Sequence, residues 1–182
     1  MRTIPSSLLP AASGLHDRLR VATYNIHKGV RGVGPGKRLE IHNLGLGVEA
    51  LDADLVFLQE VRLHHARDAR QFERTWFGWP AGGQAEFLAP EGYDVAYRSN
   101  AVTRHGEHGN ALLSRWPIGE PNHHDVSDHR FEQRGLLDCQ IDVPGLPQSL
   151  HCVCVHLALN ERGRRHQIGA IVERMRRLVP DG

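Results

Sequence analysis

The stretch Asp54-Leu-Val-Phe-Leu-Gln-Glu60-Val61 constrains this chain more than any other. Leu55 to Leu58 form an apolar run of strand length, and a strand apolar on both faces belongs in the middle of a sheet. Such a strand needs neighbours on both edges and cover on both faces. The chain is therefore expected to fold as layers of helix and sheet. The run ends in Gln59 and Glu60, and a carboxylate at a strand end is either salvaged by a partner or held there for use. A second apolar strand, Leu19-Arg-Val-Ala-Thr-Tyr-Asn25-Ile26, ends in the amide Asn25. As neighbours, the two would bring an amide and a carboxylate to one sheet rim, where α/β proteins build sites.

The 182 residues suffice for one domain with a core. A net charge of +1 gives no global field, so any polyanion must be attracted locally. Cys152 and Cys154 stand two apart on an apolar strand and face the same way, a geometry unsuited to a bridge. The cysteines read as buried reduced thiols, and a reducing cytoplasm follows. In residues 1–18, prolines at Pro5 and Pro10 interrupt the apolar pairs. This part reads as a disordered lead-in to a domain over residues 19–182, not as a targeting signal. No stretch approaches the roughly 20 apolar residues of a membrane span.

The segment His27–Lys37 is glycine-rich and basic. Its Gly36-Lys37 does not complete a P-loop, because the pattern needs Gly at 31 and Ser or Thr at 38, where Arg31 and Arg38 stand. An anion-tolerant loop remains open. Helices are expected over Leu39–Leu51, over the polar segment from Val61 to Trp76, and at the C-terminal end. There Ile168, Ile171, Val172, Met175, Leu178 and Val179 recur at helical spacing after an N-cap at Asn160. The arginines of that helix, Arg162 to Arg177, read as a solvated face. Strands are expected at Tyr93–Tyr97, Asn110–Arg115, Gly135–Val143 and Leu150–Leu157, the last apolar on both faces and so central.

Four stretches line up with one family. Thr23-Tyr-Asn25-Ile-His-Lys-Gly29, Asp54-Leu-Val-Phe-Leu-Gln-Glu60-Val61, Gly109-Asn-Ala-Leu-Leu-Ser-Arg-Trp-Pro-Ile118 and Val155-His156-Leu157 resemble the endonuclease/exonuclease/phosphatase superfamily. The resemblance implies a four-layered α/β/β/α sandwich and metal-dependent hydrolysis of phosphodiester bonds at a rim between two sheets. It implies that Glu60 is the metal ligand, with Asn25 beside metal and phosphate. His156 would face the scissile phosphate, and so would a side chain just before Gly109, where Glu107 and His108 stand. The expected ion is Mg²⁺, with Mn²⁺ as a substitute, since Mg²⁺ suits a single carboxylate plus waters and substrate phosphate. The expected partner is a phosphate-ester substrate, either nucleic acid or a phospholipid headgroup, and no protein partner is expected.

The family also ends in a Gly-Asp-x-Asn strand and a Ser-Asp-His that this sequence lacks; Ser127-Asp-His129 lies too early. On that ground residues 19–182 are expected to be the N-terminal two-thirds of such a domain, a fragment whose second half is incomplete and whose water-activating Asp lies beyond Gly182. The alternatives are a non-catalytic binding module of the same fold, or a phospholipid or inositol-phosphate phosphatase or phosphodiesterase. Two further readings stay open: Lys28 as a phosphate contact, and a Zn²⁺ site in His123-His-Asp-Val-Ser-Asp-His129.

Overall fold

Alternation along the strand Leu55–Val61 (β4) builds the layers. Val56 and Leu58 face one way, into a core with Ile41, Val48, Ala85 and Leu88; Leu55 and Phe57 face the other, into a core with Leu137, Cys139, Ile141, Cys152 and Cys154. One strand thus serves two cores, as a run apolar on both faces requires. The computed structural model describes residues 18–73, 78–128 and 133–179. The lead-in expected over residues 1–18 falls almost wholly outside the described residues, as does the Pro-Asp-Gly end.

The first sheet has four strands: Val21–Asn25 (β1), β4, Gly106–Ser114 (β6) and Asp94–Thr103 (β5), in the order β1-β4-β6-β5. β1 runs parallel to β4 with Asn25 opposite Gln59, and the other pairings are antiparallel. The expected adjacency of the amide strand and the carboxylate strand holds. Helices Ile41–Leu51 (α1) and Gln84–Leu88 (α3) cover the outer face of this sheet.

The second sheet joins Asn122–Asp125 (β7), Gly135–Ile141 (β8) and Leu150–Val155 (β9), all antiparallel. Leu137, Cys139 and Ile141 point from β8 toward the first sheet. Asp138 points the opposite way and receives Arg174 Nε at 3.1 Å from the closing helix, Glu161–Leu178 (α4). The result is helix, sheet, sheet, helix: the four-layered sandwich. No described helix is long and apolar enough to cross a membrane.

Several elements differ from the sequence reading. The first helix begins at Ile41, because Arg38–Leu39 (β3) pairs with Val30–Arg31 (β2) in a short antiparallel ribbon. Of the polar segment expected as helix from Val61 to Trp76, Val61 closes β4 and only Ala66–Phe72 (α2) is helical; residues 74–77 lie outside the described ones. β5 and β6 extend further toward one another than expected, as far as a turn at Arg104-His105. β9, expected to be central, pairs only with β8 among the described residues. The cap of α4 is as expected: Asn160 Oδ1 accepts from Gly163 N at 2.7 Å.

All three cysteines are free and buried. Burial pushes Cys139 up to about 12, Cys152 to about 11 and Cys154 to about 12, so they persist as neutral thiols.

Candidate active site

Glu60 reaches the rim through a defect in its strand. Between Leu58 and Val61, β4 advances three residues while β6 advances two, from Ala111 to Gly109. The extra residue is a β-bulge. Without it, Leu58 and Val61 would face opposite sides; with it, both lie in the same core and are fully buried. Glu60 takes up the slack with φ of 56°, a left-handed conformation that costs a non-glycine residue on the order of 1 kcal/mol. Gly109 sits opposite, where a Cβ would lie 1.9 Å from Arg98 O, so no larger residue fits.

Asn25 is held at both ends of its amide. Its Oδ1 accepts from His27 N at 2.9 Å, and its Nδ2 donates to Glu60 Oε1 at 3.2 Å. Lys28 Nζ lies 3.7 Å from Glu60 Oε2, and His156 Nδ1 lies 3.8 Å from Oε1. Burial alone would raise the Glu60 pKa. The Asn25 hydrogen bond and the positive charge of Lys28, with His156 and His27 acting in the same sense, outweigh it, so the carboxyl stays below its usual range and is ionised at neutral pH.

His156 ends the β9 side of the rim. Arg134 Nη1 contacts its Nδ1 at 3.3 Å. A guanidinium can only donate, which makes Nδ1 the acceptor and assigns the ring proton to Nε2. His108, on β6, is half-buried. Burial lowers its pKa, Lys28, Arg62 and Arg134 lower it further, and Glu60 acts in the opposite sense. It is a neutral imidazole at neutral pH. The structure therefore brings Asn25, Lys28, Glu60, His108 and His156 to one rim, between the open ends of the two sheets.

Buried amides fix that rim. Gln59 Nε2 donates to Thr23 Oγ1 at 3.1 Å and to Cys154 Sγ at 3.5 Å, linking the sheets beneath Glu60. Asn110 Nδ2 donates to Gly135 O at 2.9 Å and Cys154 O at 3.2 Å. Gln84 is almost wholly buried. Its Nε2 donates to Lys28 O at 2.8 Å, and its Oε1 accepts from Arg62 N at 2.9 Å. It ties the turn after Asn25 to the segment after Glu60. Gly29 lies against this clamp with φ of 69°, and a Cβ there would come within 2.4 Å of Gln84 Nε2.

The sequence reading missed Gln84, Arg134 and the Arg62–Asp68–Lys37 group. Asp68 is fully buried, takes Lys37 Nζ at 2.8 Å and is bonded to Arg62. Arg62, two residues after the strand-end Glu60, and Asp68, eight after it, were weak signals, and Gln84 offered none. The rival cluster resolves differently. His123 and His124 sit on β7, where successive side chains point to opposite faces. His124 Nε2 lies 2.8 Å from Asp138 Oδ2, and Asp125 Oδ1 accepts from Ser127 N at 2.9 Å. His129 lies outside the described residues. No three His, Cys, Asp or Glu side chains gather into a metal site among the described residues, at this cluster or at the rim. Glu60 alone fits an ion that draws its remaining ligands from water and substrate phosphate, as Mg²⁺ does.

A fold of two stacked sheets with an amide and a carboxylate at one rim defines a class, and a family model matches accordingly. The endonuclease/exonuclease/phosphatase family model spans residues 22–155, and this chain belongs to that family. An uncharacterized protein of Escherichia coli (strain K12), YbhP, is 40% identical over 164 residues, which is 90% of this chain and 62% of that protein. The chain thus spans less than two thirds of the curated relative. Among solved structures, an endonuclease/exonuclease/phosphatase family protein from Leptotrichia buccalis superposes with a TM-score of 0.62 at 14% identity, covering 86% of this chain and 63% of that one. The human Nocturnin catalytic domain, solved with a bound sulfate anion, superposes equally well, with a TM-score of 0.62 at 17% identity over 89% of this chain and 59% of that domain. At these identities the structures share the fold with this chain.

Proposed function

We propose that this chain contributes the substrate-facing rim of a Mg²⁺-dependent phosphodiesterase. The observation that carries the reading is Glu60: an ionised, mostly buried carboxylate, turned out of its strand by a strained bulge, with Asn25, Lys28 and His156 within 4 Å of it. Strain of that kind persists where surrounding structure over-determines it, and it clusters at sites.

Glu60 and Asn25 would hold the ion, which when bound supplies positive charge against the phosphate oxygens. Asn25 keeps the Glu60 carboxylate oriented through Nδ2. His156 offers Nε2–H to a phosphate oxygen, with Arg134 fixing the tautomer from behind. His108 is uncharged and adds a neutral hydrogen bond, while Lys28 contributes a compact positive charge. Water would attack phosphorus in line, giving its proton to the water-activating Asp expected beyond Gly182, and the leaving oxygen would depart from the opposite side. The activity of the whole protein, its nucleic-acid or lipid-headgroup substrate and its reducing, cytoplasmic setting belong to the same proposal; buried reduced thiols support the last of these.

The test is hydrolysis of bis(p-nitrophenyl) phosphate with Mg²⁺ and with EDTA, by the natural chain and by Glu60→Gln. Mg²⁺-dependent turnover that disappears in Glu60→Gln supports the proposal. Turnover that Glu60→Gln leaves intact defeats it. Mg²⁺-dependent binding without turnover moves the rim to the class of non-catalytic binding modules. Plasmid DNA, phospholipid and inositol phosphates under the same conditions then sort the substrate.

A further inference from the structure

The glycine-rich segment that fails as a P-loop is an ordered hairpin, and its charge is unbalanced. Residues 27–40 hold four cations, Lys28, Arg31, Lys37 and Arg38, against one carboxylate, Glu40, in a chain whose net charge is only +1. Arg31 on β2 stands directly opposite Arg38 on β3. Residues opposite one another in an antiparallel pair share a face, and like charges there destabilise the pair. Both arginines are exposed, and among the described residues neither side chain makes a hydrogen bond or an ion pair. Glu40, the one acid nearby, already accepts from Asn43 Nδ2 at 2.9 Å.

This unfavourable pair is held in place by other parts of the structure. Lys37 Nζ is anchored on buried Asp68 at 2.8 Å, Glu40 N donates to Gly29 O at 3.0 Å, and Gln84 holds Lys28 O at 2.8 Å. The ribbon is thus tied at both ends and cannot relax by opening. Beside it runs a cleft of about 670 Å³, lined by Arg31 and Lys37 from the hairpin and by Asn25, Lys28 and Glu60 from the rim; Arg38 does not line it and stands across the ribbon from Arg31. That is the size of a small-ligand site, roughly 300–1,000 Å³, and far more room than one phosphate needs.

We propose that the hairpin is a second anion subsite, in which Arg31 and Arg38 bind a phosphate of the substrate other than the one at Glu60. Guanidinium groups match phosphate oxygens two at a time, and an anion between them turns a repulsive pair into an attractive one. The preferred substrates then carry at least two phosphate groups. The inference rests on the proposed function only for where the reacting phosphate lies.

The test is calorimetric binding of matched ligands at fixed ionic strength with Mg²⁺: thymidine 3′,5′-bisphosphate against thymidine 5′-monophosphate, and inositol 1,4-bisphosphate against inositol 1-phosphate. At least one bisphosphate is expected to bind about tenfold more tightly than its monophosphate. The pair with the larger advantage identifies a nucleotide or a headgroup source. In the double variant Arg31→Gln/Arg38→Gln that advantage should shrink to within about twofold, with monophosphate affinity unchanged and the melting temperature held or slightly raised, because a like-charge repulsion is removed. Equal binding of mono- and bisphosphates by the natural chain in both pairs overturns the proposal. So does an advantage that survives the double variant. The natural chain separates the two readings: a bisphosphate advantage in a natural chain that hydrolyses nothing sinks the catalytic proposal and leaves the subsite standing, whereas Glu60-dependent turnover without that advantage does the reverse.

Discussion

Glu60 and Asp68 are both carboxylates withdrawn from water on the same side of the molecule, and the fold treats them in opposite ways. Asp68 has no exposed surface, and its oxygens are taken by Lys37 at 2.8 Å and by Arg62, with His65 Nδ1 at 3.4 Å. Glu60 is 19% exposed, has one hydrogen bond at 3.2 Å, and faces Lys28 Nζ at 3.7 Å and His156 Nδ1 at 3.8 Å, beyond hydrogen-bond range. For both, burial works to raise the pKa and local partners overcome it. Asp68 is a saturated acceptor and behaves as scaffold. Glu60 is oriented but unsaturated, with lone pairs left for a ligand. The completeness of its hydrogen bonding, more than its burial, is what sets Glu60 apart from Asp68 and suits it to the role proposed for it.

The sharpest way to break this contrast is Glu60→Gln. It keeps the shape and the Asn25 contact, so hydrolysis should fall at least about 10³-fold, about 4 kcal/mol of transition-state stabilisation, while urea unfolding hardly moves. A loss of stability comparable to the loss of rate would make Glu60 scaffold after all. Asp68→Asn should do the reverse in kind, costing about 3 kcal/mol in urea unfolding because Arg62 and Lys37 lose their shared counter-charge. An unfolding midpoint equal to that of the natural chain would show the group to be dispensable.

The same group sets a pH response. Burial and the nearby Arg62 lower His65 from 6.5 to about 4, so the unfolded chain binds its proton first. Stability from this residue is complete above pH 6.5 and falls as pH drops toward 4, by on the order of 2 kcal/mol. Asp68, with a depressed pKa, keeps its contribution through that window and loses it only as pH falls through the lowered value. Denaturant titrations from pH 7 to 4 should therefore slope less in His65→Gln than in the natural chain, the remaining slope coming from other buried histidines such as His108; equal slopes would contradict the assignment. The smallest effect expected is Asn160→Ala, which removes the cap of α4 and costs about 1 kcal/mol in thermal unfolding.

What could be read from the sequence was what local pattern determines. β4 declared itself by its apolar run, and the polar residues ending β1 and β4 were visible because polarity is conspicuous after such a run. The bulge was not readable, since it exists only as a mismatch between β4 and β6, strands about fifty residues apart. Asp68 sat in a helix whose polarity suggests solvent, and its burial comes from Lys37, 31 residues earlier. Asn122–Asp125 carries no strand signal in the sequence, because Asn, His and Asp are poor strand formers; pairing with apolar β8 overrides that preference. The ribbon of β2 and β3 is two residues per strand, too short for any period to register. The family's motifs supplied Glu60, Asn25 and His156, but Arg134 emerged only when the second sheet laid β9 against its neighbours.

The amide stitches beneath the rim also bear on how the protein is made. Asn25 waits for a partner 35 residues later, and Gln59 for one 95 residues later. On a ribosome, β1 and β4 can meet early, yet the floor of the site cannot close until Cys154 has been synthesised and has cleared the exit tunnel. At roughly 5–20 residues per second, Glu60 spends several seconds on a nascent chain as an unbraced acid at the end of an apolar strand. The site therefore closes only after β9 has been made, and silent codon changes that slow translation between residues 60 and 154 would lengthen the interval in which that apolar strand stands uncovered.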